Sequence, residues 1–562
     1  MVGLNIRHFI VVWILAVDRK FLFERNLLSL SKNSPELCAR LSAARTDRNV
    51  YRFLVSRTGE TVAALVLPSG SSRPLHSTVD PRREAERLAG ASNGEGFFIF
   101  LGLGGGFVPL AVLGKEETKQ VLVVDYVCDG VAELLCSKDY SGLFGDPRFH
   151  LLVDPPEGAI QAYITGHYRP ALQGGIRALP LLPRTEGIKA FVPAHNEVKK
   201  AVDICSRDYS VQAWFGKRWF SNTLRNLSRA ELSYFSLPPP RRAVITAAGP
   251  SLDGQLPRLR EERAGVFLIA TDTSLPALLN AGLEPDAALS IDCQHISYQH
   301  FFRGLPKKTF LFLDLASPRS VAACSEKTVF FAGGHPLTQY IRNVWRPLPS
   351  VDTSGANVTC AAVSLAENLG ASEIILYGAD FSYPEGKTYA RGTYIYPFFE
   401  KKQNRLLSME TQHSAFLYRG PPLEKHPAEN DESRWYYETE TLRFYKTMLE
   451  QRTSAKKHFE KDGTFVFTPA GRRTISLFAA GSPRQSALEF LVSYKRKIEK
   501  LSSFDEHEDE NRNIVTTLLP VAAAVRRQAP LTTELFRETK DWCVAELEKV
   551  IGCRYQRKPS LS

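Results

Sequence analysis

RRAVITAAGPSLDGQLPRLR, residues 241–260, sets the reading of the whole chain. Residues 244–248 (VITAA) are a short apolar run with β-branched members, the pattern of a parallel strand buried on both faces. Gly249-Pro250-Ser251-Leu252-Asp253 breaks the run, and a helical pattern follows. A strand, a glycine turn and a helix start place bare backbone N–H groups at the carboxyl edge of a sheet, where phosphate binds. Gly249 admits close backbone approach, and Ser251 either caps the helix or donates to a phosphate oxygen. An ordinary βα turn with a serine cap leaves the same trace, so the neighbouring segments decide.

They repeat the pattern. Residues 266–270 (VFLIA), 287–292 (AALSID), 308–313 (KTFLFL), 328–332 (TVFFA) and 373–377 (EIILY) read as further strands. Each ends in polar or glycine residues: Thr271-Asp272, Asp292, Asp314, Gly333-Gly334-His335 and Gly378-Ala379-Asp380. Helical patterns lie between them, the longest opening at Ser354-Gly355-Ala356-Asn357 and stopped by Gly370. This alternation predicts an α/β fold with a central, doubly wound, mostly parallel Rossmann-like sheet over 241–400. Ligands of such sheets sit beyond the carboxyl ends of the strands. Gly249, Pro250, Ser251, Thr271, Asp272, Asp292, His335, Ser354, Gly355, Asn357 and Asp380 all fall there, which makes them the candidate site.

PSLD (250–253) after a strand, GLEPD (282–286) leading to SID (290–292), SGANV (354–358) and GADFS (378–382) occur in this order. The set resembles the central domain of the motility accessory factors, flagellin glycosyltransferases that attach nonulosonic acids to Ser or Thr. The same pattern is similar to the MptE-like archaeal 6-hydroxymethyl-dihydropterin diphosphokinases and to bacterial CMP-sialic-acid-dependent sialyltransferases. The resemblance spans roughly 241–400. It implies a CMP-activated nonulosonic acid of the pseudaminic or legionaminic type as donor, flagellin as acceptor and a role in flagellar assembly and motility. Gly249 and Ser251 would then meet the leaving CMP phosphate, and the 354–357 helix start would meet an anion. Asp272, Asp292 and Asp380 would orient sugar or ribose hydroxyls, or hold Mg²⁺ if the reaction were the kinase's. Related sequences place a His a few residues beyond the strand-ending GxD. This chain has Tyr389, in GKTYARG, which leaves His335 or His295 as the base, or Tyr389 as an acid. His335 in Gly-Gly-His-Pro would equally serve as a turn cap.

The 562 residues call for several domains. Net charge is +11, with basic residues scattered rather than in runs, which suits an anionic substrate. No zinc-finger, homeodomain-like or RNP pattern points to nucleic acid. Nine cysteines stand singly without a CxxC pair, the usage of reduced thiols in a cytoplasmic protein with no zinc site. Residues 9–17 (FIVVWILAV) are too few to span a bilayer, so no integral membrane segment is expected.

Ahead of the central region, 1–90 reads as a helix and a β-hairpin turning at Gly59, followed by HSTVDP (76–81) at a helix start. A similar segment stands here in the motility accessory factors. Within 91–235, the strand 97–101 (FFIFL) runs into Gly102-Leu103-Gly104-Gly105-Gly106, and Asp125 ends a second strand about twenty residues on. Strand, glycines and acid are a Rossmann-like nucleotide signature, although Phe107 stands where the third glycine belongs. Gly102, Gly104, Gly106 and Asp125 are thus a possible second nucleotide loop, with a structural use the more economical reading. Residues 154–235 read as helices carrying Lys217, Arg218, Trp214, Phe215, Trp219 and Phe220, a linker mixture that elsewhere stacks on bases. Pro238-Pro239-Pro240 reads as the spacer before the central domain. Residues 401–562 read as mainly helical, with 434–452 helix-like and 464–466 a possible added sheet edge.

Three functions remain: the glycosyltransferase, a Mg²⁺- and ATP-dependent diphosphokinase that leaves the outer regions without a task, and a binding or assembly protein that has lost its base.

Overall fold

Strand residues of the central region alternate between two separate cores, and this alternation builds the molecule. The structure is a computed structural model that describes residues 19–46, 49–91, 94–186, 188–233, 235–355, 357–428, 431–453, 457–459, 464–469, 478–479, 481–504, 508–527 and 534–555. The apolar run 9–17 and Ala356 of the SGANV motif lie outside them. The chain forms two compact units, Met1–Gln212 and Ala213–Ser562. The division falls within the helix Phe191–Leu232 rather than at the proline spacer.

In the first unit a four-stranded parallel sheet is ordered Phe149–Val153, Gln120–Asp125, Glu95–Leu101, Gly175–Pro180. Phe98 and Phe100 face one core, while Phe97, Ile99 and Leu101 face the other, the period-2 burial of a sheet covered on both sides. Gly175–Pro180 corrects the wholly helical reading of 154–235: GIRALP is too short and mixed to show a period, and only pairing with Glu95–Leu101 makes it a strand. The hairpin is present as Tyr51–Val55 and Thr61–Val66, with Gly59 at φ +84° and a third strand, Ser72–Pro74.

The second unit holds an eight-stranded sheet, ordered Thr328–Phe331, Phe310–Asp314, Ala287–Ser290, Phe267–Thr271, Arg242–Thr246, Glu373–Tyr377, Phe465–Phe467, Lys457–Phe459. The first six strands are parallel; Phe465–Phe467 pairs antiparallel to both Glu373–Tyr377 and Lys457–Phe459. Val244, Leu268, Leu311 and Ile375 enter a core shared with Phe220, Leu224 and the helices Ala487–Lys500, Asp509–Arg526 and Leu535–Tyr555. Ile245, Ile269, Phe312 and Ile374 enter the opposite core, under the helix Val358–Asn368. The C-terminal helices therefore cover one face of the central sheet. Residues 434–438 are also strand, not helix: Asp431–Glu438 pairs with Glu424–Ala428, and the helix begins at Glu440. The aromatic run WYY favours the strand, stacking Tyr436 on His426 at 5.3 Å.

Candidate functional site at the carboxyl edge of the central sheet

In chain order the six parallel strands lie 5-4-3-2-1-6, so winding reverses between Arg242–Thr246 and Glu373–Tyr377. That reversal opens the crevice in which such sheets bind ligands. Gly249, Ser251, Gly378 and Asp380 stand at it. Gly249 N–H donates to Gly378 O at 2.8 Å, joining the two loops. Asp380 Oδ2 accepts from the Ser251 amide at 3.1 Å and from its hydroxyl at 2.9 Å. Ser251 stands at the N-cap position of the helix Leu252–Glu262 but makes no side-chain cap; its hydroxyl is turned to Asp380. A Cβ on Gly249 would lie 2.0 Å from Asp380 Oδ2, which is why glycine is required there. The carboxylate thus fills the anion position of this helix start, with Pro250 half-buried beside it. Burial pushes the Asp380 acid up, and the Ser251 bonds oppose that shift.

One strand further on, Asp272 is buried and accepts from Ser290 Oγ at 2.7 Å and from Thr273 N at 2.7 Å. Thr271 stays inside the turn, bonded to Ser274 at 3.1 Å and only 1% exposed. Asp292, at the end of the next strand, accepts from Gln294 N at 2.9 Å. Its acid is raised by burial and by the charge of Asp272, with His300 and Arg218 opposing. The 388–392 loop crosses above: Ala390 N bonds Ala248 O at 2.9 Å, and Arg391 N bonds Asp253 Oδ1 at 2.9 Å. This crossing carries Tyr389 over the first strands, 6.1 Å from the Tyr394 ring. Burial, then Tyr394, Tyr383 and Asp272 raise its hydroxyl far above the ordinary tyrosine value, which keeps it protonated. The Tyr394 ring in turn meets His300 edge-on at 4.8 Å, whereas His295 is exposed at the start of His295–Phe301.

At the outer end of the sheet, His335 precedes the helix Pro336–Val344 and makes no side-chain cap, which removes the turn-cap reading. Its ring lies 4.2 Å from Trp219, and its Nε2 is 3.9 Å from Asp314 Oδ2. On the other face, Asn357 caps Val358–Asn368 through Cys360 N at 2.9 Å and holds Gly355 O at 2.9 Å. Ser354 is exposed, its amide bonded to Asp352 at 2.9 Å. Among the described residues no group of three or more His, Cys, Asp or Glu forms a metal cage.

Strand order therefore sets the candidate groups in a row: Asp380, Gly249 and Ser251, Asp272, Asp292, Asp314, His335. The profile of the family described as 6-hydroxymethylpterin diphosphokinase MptE-like matches residues 217–386 of this chain, the segment that carries this row. An uncharacterized protein of Treponema pallidum (strain Nichols) is 32% identical over 176 residues, 30% of this chain and 82% of that protein. The chain carries an MptE-like domain. A second uncharacterized protein of the same organism is 37% identical over 135 residues, and the chain spans 46% of its length. A solved structure of a Maf glycosyltransferase from Magnetospirillum magneticum AMB-1 superposes with a TM-score of 0.58 at 14% identity, covering 95% of both chains. The two proteins share a fold.

The MptE-like match begins inside Phe191–Leu232, and the geometry explains why this helix is part of the domain. Asn222 Nδ2 donates to Cys293 O at 3.1 Å and to Ala316 O at 2.9 Å. One turn on, Asn226 Nδ2 donates to Leu315 O at 3.0 Å and Ser317 O at 2.8 Å. The linker reading of this aromatic–basic stretch missed that role. Two asparagines four apart on an otherwise apolar stripe were the available signal.

In the first unit the glycine loop is closed by its own protein. Leu103 N donates to Asp125 Oδ2 at 2.7 Å, Gly105 N to His76 Nε2 at 3.0 Å, and Gly102 and Gly106 N–H are also paired. Gly104 O accepts from Tyr140 at 2.8 Å. Asp125, the acid that would reach a ribose, is fully buried against Arg184 at 2.8 Å. These groups serve packing in the state described.

Proposed function

We propose that the row of groups at the carboxyl edge transfers a nonulosonic acid from a CMP carrier to a Ser or Thr hydroxyl of flagellin. The observation that carries this reading is the fold shared with a glycosyltransferase over 95% of both chains, outer regions included. A small-metabolite kinase has no need of them, while a protein acceptor needs docking surface. The chemistry follows the strand order. The reversal point, with Asp380 as acceptor for cytidine or ribose donors, takes the nucleotide. Asp272 and Asp292, one strand apart, take sugar hydroxyls, and His335, two strand spacings or about 10 Å beyond Asp292, meets the acceptor. As the acceptor oxygen bonds to the anomeric carbon, the bond to the CMP phosphate breaks and its electron pair leaves with the phosphate. The acceptor proton passes to His335, and Tyr389 donates to the departing phosphate. Arg218 and Arg419, which act electrostatically on Asp292 and Tyr394, supply positive charge nearby. Such a reaction uses a cytoplasmic nucleotide sugar.

The family description favours a second reading, pyrophosphate transfer from ATP to a pterin alcohol, with Asp272 and Asp292 holding Mg²⁺. Intact-mass analysis of flagellin co-expressed with the chain and a CMP-nonulosonate pathway decides between them. A sugar-sized increase, lost in Asp292→Asn, is expected. An unmodified flagellin together with ATP-dependent pyrophosphorylation of hydroxymethylpterin would replace this reading with the kinase.

A further inference from the structure

Asp314 is the one group of the row that neither the sequence motifs nor the proposed chemistry employs. It ends the strand Phe310–Asp314 and is 0% exposed. Oδ1 accepts from Ala316 N at 2.8 Å, while Oδ2 is buried without a hydrogen-bond partner among the described residues. A buried carboxylate oxygen left in this state needs an explanation. Two neighbours supply it. Gly333 makes room, since a Cβ there would lie 2.0 Å from Oδ2. His335, with its side chain 21% exposed, brings Nε2 to 3.9 Å. That separation lies within ion-pair range and is longer than a hydrogen bond. Trp219 packs on the ring at 4.2 Å, and Asn222, on the same helix, grips the carbonyl of Ala316, whose amide holds Oδ1. Aromatic ring and carboxylate are thus anchored through one residue.

We propose that Asp314 is a positioning residue: it accepts the Nε2 proton of His335, fixes that tautomer, and leaves the Nδ1 lone pair to take the acceptor's proton. This rests on the transferase reading above. In the transfer step the acceptor O–H proton goes to Nδ1, the new C–O bond forms and the bond to the CMP phosphate breaks, so the imidazole becomes an imidazolium beside the carboxylate. The carboxylate orients the ring and stabilises that cation without gaining a proton. Burial raises the Asp314 acid, and His335 and the Ala316 bond oppose that shift, so the carboxylate form depends on these two neighbours.

Asp314→Asn tests this with little change of shape. The amide oxygen keeps the Ala316 bond, while an NH₂ donor replaces the Oδ2 acceptor facing His335. Nitrogen NMR of the full chain labelled at histidine, with the signal assigned by its loss in His335→Gln, should show the proton on Nε2 in the parent and on Nδ1 in Asp314→Asn. For transfer to flagellin, kcat should fall roughly 10²-fold or more with KM unchanged. The same tautomer in both proteins, or a loss expressed in KM alone, overturns the proposal. Should Asp314→Asn unfold, Gly333→Ala separates the pair by displacing Oδ2 and is expected to lose the parent tautomer. If the parent chain modifies no flagellin, the transferase reading fails, and the tautomer comparison still decides whether Asp314 orients His335.

Discussion

Asp380 and Ser251 close the reversal point of the central sheet: a single carboxylate oxygen takes both the amide and the hydroxyl of the serine, at 3.1 and 2.9 Å. The helix start that a phosphate would use already holds an anion supplied by the chain. Ser251→Ala removes the hydroxyl bond and leaves the amide bond. A hydrogen bond to a charged acceptor contributes about 1.5–3 kcal/mol, and this half-buried one belongs at the lower end. Urea unfolding is expected to show a loss of that size, together with weaker binding of CMP by calorimetry.

Asp292 makes stability depend on pH. Its folded acid is raised by burial and by Asp272, so folding favours the protonated form. Stability from this group is greatest below the ordinary aspartate range and declines as pH rises through the raised folded value. Melting temperatures of the parent and of Asp292→Asn, followed from about pH 4 to about pH 7, should therefore diverge, the variant gaining relative to the parent. A constant difference would contradict the burial argument.

Arg184 and Asp125 form an ion pair with side chains 1% and 0% exposed. Arg184→Ala strands a carboxylate inside the first unit and is expected to cost about 3–5 kcal/mol, read as a fall in the denaturant midpoint. Replacing both partners by apolar residues of similar size should recover much of the loss.

Gly216 marks a close helix crossing. A Cβ there would meet Pro520 O at 1.8 Å, whereas Gly254, in Leu252–Glu262, has nothing within 4 Å. Gly216→Ala should destabilise by about 1–3 kcal/mol through overpacking. Gly254→Ala should stabilise by about 0.5–1 kcal/mol through helix propensity. Paired thermal melts test both signs.

Asn222→Ala leaves the carbonyls of Cys293 and Ala316 without their side-chain donor. A loss of about 1–3 kcal/mol is expected, with faster hydrogen exchange in the loops after Ala287–Ser290 and Phe310–Asp314.

The parallel sheet of the central region was legible because buried strands are written locally, as apolar runs such as VFLIA and TVFFA ended by Asp, Gly or His. The carboxyl-edge residues were legible for the same reason, since a residue just past a parallel strand faces the crevice whatever its partners. Short paired strands such as GIRALP and WYYE were not, because their conformation depends on the strand beside them. The sequence by itself determined which residues reach the carboxyl edge. Tertiary structure alone decided what they do there: that Ser251 faces Asp380 rather than capping its helix, that His335 faces Asp314 and not a turn, and that helices far along the chain roof the sheet. Hydrophobic periodicity is set by nearest neighbours in sequence, whereas a hydrogen bond between residues more than a hundred positions apart exists only once the strands between them have taken their order.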